Sequence, residues 1–288
     1  MELIDHAALD WNGARKATYL IHQKFRYDYP GPIRDLRHRL MIVPRLQHGD
    51  QRRILQRLDV LPQTPALLNQ DAFGNEVALI SLARVEKTLE FEHWSLVERD
   101  TASGDHLLPL AALSDAHLLQ TSRLTEADGD LVRVACDLQD AHRDPFELAL
   151  AINAFVHGTM RYKADVTDVS TAAAQAYALR AGVCQDYAHV MLAIARAAGI
   201  AGRYVSGHML GEAGTHAWVE LLVRRGDDAL VVPLDPTHGR GTTLGYLVVA
   251  VGRDYADVAP TSGFFSAPYS GLLRAKKRVG VSSVEYAA

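Results

Sequence analysis

Only two cysteines, Cys136 and Cys184, occur among 288 residues, too few for the regularly spaced framework of a disulfide-dependent secreted domain. A reducing compartment is the expected setting. No excess of one charge stands out either. The 30 basic and 34 acidic residues leave a net charge of -4, which gives no footprint for nucleic acid or for an anionic membrane. No apolar run approaches the roughly 20 residues that span a bilayer. Between Met1 and Arg15, Glu2, Asp5 and Asp10 interrupt the stretch that a signal peptide would keep apolar, and the chain reads as cytoplasmic. A Gly-rich phosphate loop, a Gly-x-Ser-x-Gly elbow, an EF-hand loop and a His-Glu-x-x-His pair are all missing. Sequence support for a nucleotide site, a serine hydrolase, a calcium switch or a zinc hydrolase is therefore absent. Thirteen histidines occur, with His189, His208, His216 and His238 in one region, yet no metal motif organises them. No cofactor and no metal are expected, and no repeat or low-complexity tract is found.

What is present is enough apolar material, 48% of the chain, for one large or two smaller cores. From about Ala17 to Val97, short apolar runs such as Tyr19-Leu20-Ile21 and Val77-Ala78-Leu79-Ile80 are punctuated by turn formers, a β-rich pattern. Leu89 and Phe91 alternate with polar residues as in a half-buried strand, although the alternation slips at His93 and Trp94. This suggests a β-rich N-terminal domain over 1–110, a connecting region over 111–144 with some helix, and a core over 145–288. Asp144-Pro145 opens a helix that runs to about Met160. Ser170 and Thr171 are candidate caps for a second helix, which stops at Gly182. A third, Ala-rich helix starts close to Cys184 and ends near Gly199. Strands follow over Arg203 to Met209, His216 to Val223, Leu230 to Leu234 and Leu247 to Val251, while the tail after about Gly271 reads as peripheral.

A lone cysteine is most often a small buried apolar residue. Cys184, however, follows Arg180-Ala181-Gly182-Val183, where the glycine can break one helix before the next begins. Thiolate is the nucleophile, and a helix N-terminus beside a histidine favours it. The unpaired amides there can also stabilise an oxyanion. His216 stands at the start of a predicted strand and suits a general base. Asp235, at the end of the next strand, can accept the proton on its other ring nitrogen and fix the tautomer. Taken singly, each has a bland reading, a half-buried histidine and a turn-forming aspartate before proline. His189 shares the predicted helix of Cys184 but lies five residues on, about 140° around it, and is read as a core residue. Met160-Arg161-Tyr162-Lys163 reads as a solvated helix end, and Ala127-Asp128-Gly129-Asp130 as a turn.

Four blocks in order, Gly182-Val183-Cys184-Gln185-Asp186-Tyr187-Ala188-His189, Arg203-Tyr204-Val205-Ser206-Gly207, His216-Ala217-Trp218 and Asp235-Pro236-Thr237, resemble the bacterial transglutaminase-like family. The segments Phe25-Arg26-Tyr27-Asp28 and Gly252 to Pro260 are similar to its N-terminal and C-terminal parts. The resemblance implies an α+β fold, a papain-like transglutaminase core in which a helix is followed by an antiparallel sheet, with a β-rich N-terminal domain. It also implies a catalytic triad of Cys184, His216 and Asp235. His208, where an aromatic is more usual, and His238, where Asn is more usual, depart from the pattern and bear on substrate preference. The implied reaction is cysteine-dependent hydrolysis of amide or peptide bonds through a thioester at Cys184. The alternatives are acyl transfer to an amine, or a non-catalytic binding module on the same fold. The expected partner is a peptide or protein substrate, with a small amine acceptor in the transfer reading. Neither nucleic acid nor a membrane is expected, and oligomeric state is not legible.

Overall fold

The chain is described by a computed structural model over residues 3–287. Its N-terminal part is a pair of antiparallel sheets facing one another. The first holds β1 (Ala14–Asp28), β3 (Gln51–Leu61) and β5 (Thr88–Asp100), and the second holds β2 (Ile33–Leu40) and β4 (Glu76–Val85). Alternation sets which face is buried. Ala17, Tyr19, Ile21, Gln23 and Phe25 of β1 point inward, as do Leu89, Phe91, His93, Ser95 and Val97 of β5. The period of β5 therefore does not slip at His93. Two polar residues continue the buried face and satisfy one another, with the Ser95 hydroxyl 2.9 Å from His93 Nε2.

The core begins before the expected boundary at 145. Asp128, read as part of a turn, caps helix α1 (Gly129–Ala141) by accepting from the Leu131 amide at 3.0 Å. Leu131 and Ala135 of that helix lie in the same hydrophobic cluster as α2 (Pro145–Thr159), α3 (Ala173–Leu179) and α4 (Cys184–Ala197). Helix α4 is apolar on every side from Val190 to Ala195 because it is covered on every side, by the other three helices and by the core sheet. That sheet runs β8 (Asp228–Asp235), β7 (His216–Arg225), β6 (Gly202–Met209), β9 (Tyr246–Gly252), all antiparallel, as the four strand readings expected.

The expected peripheral tail is the main correction. Strand β10 (Thr261–Ser266) pairs with β2, and β11 (Leu272–Tyr286) pairs with β1 along its whole length, so the chain end returns to the N-terminal sheets instead of extending the core to 288. Arg274, Lys276 and Arg278 stand exposed on one face of β11, an edge strand, and such charges discourage further pairing. The core sheet has an edge of its own at β9, and the N-terminal sheets close it with side chains. Gln51 bonds both the amide and the carbonyl of Val248 (2.8 and 2.7 Å), and Asn75 does the same for Val251 (2.8 and 2.7 Å). These bonds fix the β-rich part against the sheet that carries the site.

Candidate active site

The turn presenting Cys184 is built by its neighbours. Helix α3 takes no cap from Ser170 or Thr171, whose hydroxyls turn to Asp168. Gln175 instead accepts from the Ala172 amide at 3.1 Å. The helix stops at Arg180, which adopts left-handed backbone with φ 51°, earlier than the expected Gly182. Gly182 has a different task, since a Cβ there would lie 2.4 Å from Asp186 Oδ2. That carboxylate accepts from the Val183 amide and the Thr167 hydroxyl, each at 2.7 Å, and so closes the start of α4 in the manner of a capping box. Cys184 is consequently the first residue of the helix and partly exposed. The amides of Cys184 and Gln185 have no acceptor within the helix, and the positive end of the helix dipole falls at the sulfur.

His216 opens β7 and is 3% exposed. Its Nε2 lies 2.8 Å from Asp235 Oδ2, which leaves Nδ1 free to serve Cys184, a neighbour close enough to act on the ring's charge. Burial alone would lower the pKa of His216, but Asp235 and Cys184 together raise it to about 10. Asp235, the last residue of β8, is fully buried, and burial favours its neutral form. His216 above all, with Tyr246 and His238, nevertheless holds it well below the usual carboxylate range. The structure thus brings together the three residues singled out in the sequence, one from a helix start and two from strands of one sheet. The transglutaminase-like superfamily model matches residues 133–236, and the model of the bacterial transglutaminase-like N-terminal region matches residues 19–98.

The chain belongs to the bacterial transglutaminase-like family. Two relatives in mycobacteria are themselves uncharacterized. The one from Mycobacterium leprae is 28% identical over 258 residues, 83% of this chain and 90% of the relative. That from Mycobacterium bovis is 29% identical over 276 residues, 85% and 86% of the two chains. A crystal structure from Cytophaga hutchinsonii, described as a candidate cysteine protease, superposes with a TM-score of 0.76 at 22% identity, covering 95% of this chain and 93% of that one. It shares the fold, papain-like core and β-rich region included.

His238, where the family pattern more often has Asn, contacts the buried carboxylate itself. Its Nδ1 lies 2.7 Å from Asp235 Oδ2, and the Tyr246 hydroxyl donates to the same oxygen at 2.7 Å. Asp235 Oδ1 accepts from the amides of Thr237 and His238, at 2.9 and 3.3 Å. Five donors therefore converge on one buried carboxylate. Sequence reasoning missed Tyr246, which comes from another strand, and undervalued His238, whose place three residues after Asp235 was the available signal. His208 is buried and donates from Nδ1 to the Gly214 carbonyl at 3.2 Å, steadying the loop before His216. His189 is buried in the core and accepts from the Tyr255 amide at 3.2 Å.

Two further residues stand near the reacting pair. Glu212 Oε2 lies 3.4 Å from His216 Nδ1 and is accessible at the mouth of the site. Tyr162, expected in a solvated helix end, sits in a short strand paired with residues 181–182. Its pKa is raised by burial and then by the charge of Cys184. Among the described residues, two side-chain groups have the proximity of a metal ligand set: His216, Asp235 and His238, and separately His48, His106 and Glu220. In the first, both histidines point a ring nitrogen at one oxygen of Asp235, an arrangement already complete as a hydrogen-bond network.

Proposed function

We propose that the chain is a cysteine-dependent amidase or peptidase in which Cys184 is the nucleophile, His216 the proton carrier and Asp235 the residue that orients it. The observation carrying this reading is the bond from His216 Nε2 to Asp235, which turns the other ring nitrogen to a cysteine at a helix start. His216 takes the Cys184 proton, and the sulfur attacks the carbonyl carbon of an amide. The amides of Cys184 and Gln185 meet the oxyanion. Collapse expels the amine with the proton from His216 and leaves a thioester. Water then adds, giving up a proton to His216, and the carboxylic acid leaves as Cys184 is restored. A cavity of about 340 Å³ lined by Arg161, Tyr162, Leu179 and Ala181 runs along the strand pair leading to Cys184 and suits the peptide on one side of the bond. The reaction is assigned to the cytoplasm, where both cysteines remain thiols.

Acyl transfer to an amine is the second reading, favoured by Glu212. An accessible carboxylate beside the thioester is suited to hold an incoming ammonium group. Both readings require that Cys184→Ala abolish turnover of peptide or amide substrates. Retained turnover in that variant rejects Cys184 as the nucleophile, whereas a Cys184 no more reactive toward a thiol-directed electrophile than an ordinary thiol leaves a binding module. A labelled primary amine then separates hydrolysis, with no label in product, from transfer, with label in product.

A further inference from the structure

We infer that an oxyanion of the phosphate or carboxylate class binds between Arg45 and Arg203, where the N-terminal sheets meet the core sheet. Arg45 lies in the loop after β2, and its Nε and Nη1 are buried without a protein partner among the described residues. Arg203 of β6 is 8% exposed. Its Nε donates to Glu220 Oε2 at 2.5 Å, while its Nη2 is buried and unpartnered. Both guanidinium groups line a cavity of about 390 Å³ together with His48 and His106. Native interiors rarely leave such donors unmet, so three of them on two guanidinium groups that line one cavity mark a place for an acceptor.

Charge points the same way. Two guanidinium groups stand against one buried carboxylate, Glu220, which also takes His48 Nε2 at 2.8 Å. Asp105, the acidic residue lining the cavity, is paired with Arg225, and Asp71 faces Arg39 at 3.8 Å. Burial and then the nearby Arg203 lower the pKa of Arg45, the mark of a cation short of counter-charge. His48, His106 and Glu220 are close enough to hold a cation, but Arg203 already occupies Glu220 and Arg45 repels a second positive charge. An oxyanion instead offers the oxygens that guanidinium groups bind best. Glu220 lies on the same face of β7 as His216, four residues and about 13 Å along the strand. The site is thus separate from Cys184 and does not depend on the reading given to it.

The test uses the full chain with inorganic phosphate as probe, against sodium chloride at equal ionic strength. Wild type should show a saturable rise in melting temperature, about 5 °C at large excess. Arg45→Gln should lose that rise and, in chloride, melt no lower than wild type, because it removes an unpartnered cation. Sodium malonate in a parallel arm tells a carboxylate source from a phosphate source, and a saturable response to either supports the site. A response equal in wild type and Arg45→Gln, or none beyond chloride, overturns it. So does stabilisation by zinc chloride that is lost in His106→Ala while both oxyanions have no effect. Should Arg45→Gln fail to fold, saturable broadening of the phosphorus resonance of phosphate by wild type supports the site, and an unbroadened line rejects it.

Discussion

Asp235→Asn tests the role of the buried carboxylate most sharply. In the wild type, His216 stands at about 10 against an ordinary 6.5, a preference for imidazolium of roughly 5 kcal/mol shared by Asp235 and Cys184. If Asp235 carries half, losing its charge costs about 2–3 kcal/mol, or on the order of 10²-fold in rate. A second effect adds to this. The Oδ1 position accepts two backbone amides, so asparagine keeps its oxygen there and turns its NH2 group toward His216, His238 and Tyr246. His216 Nε2 must then accept, Nδ1 carries the proton, and the ring can no longer take one from Cys184. Acylation by an activated ester, followed by intact mass, should slow about 10²-fold. Amide substrates, whose leaving group needs a proton from His216, should slow further, toward the ~10⁴ known for triads of this design. Exposed Cys136 is an internal control for folding, because its alkylation should be unchanged. A variant within threefold of wild type on both substrates would refute the assignment of Asp235 as the orienting acid.

Three further outcomes follow from the geometry. Asn75→Ala removes two bonds to Val251 and strands its amide and carbonyl in a buried site, and denaturant unfolding should show a loss of about 2–4 kcal/mol. Gly182→Ala drives a methyl group into Asp186, so it should both lower stability and slow Cys184 acylation, whereas an effect on neither would contradict the account of the turn. Lys277, pushed down to about 8 by burial, sheds its proton in the folded chain while the unfolded chain holds it up to about 10.5. Between those values the unfolded state binds more protons, so stability rises with pH. Measured as the difference between wild type and Lys277→Met, the gain should reach roughly 3 kcal/mol at most, and a flat difference would exclude it.

Strands of the core and the starts of α2 and α4 were legible because alternation, caps and glycine breaks are local signals. Cys184, His216 and Asp235 could be picked out because each sits at the end of a predicted element and in one of four ordered blocks that resemble the transglutaminase-like family. Other features depend on contacts that no local pattern encodes. Tyr246 reaches Asp235 only after β9 joins the sheet beside β6, and Arg45 meets Arg203 from a distant part of the chain. The tail after Gly271 reads as peripheral in sequence because its pairing partner, β1, lies near the start of the chain; Arg274, Lys276 and Arg278 are exposed on one face of a strand that is paired along its length. His93 broke the apparent alternation of β5 because a hydrogen-bonded polar residue can occupy a buried position as well as an apolar one.

The central claim is that His216 activates Cys184. It is tested most directly by the rate of iodoacetamide alkylation at neutral pH, resolved by mass spectrometry into Cys184 and Cys136, in wild type and His216→Ala. The account predicts that Cys184 reacts at least about tenfold faster than Cys136 in wild type and loses that advantage in the variant. Equal rates at the two cysteines, or an advantage that survives without His216, would contradict it.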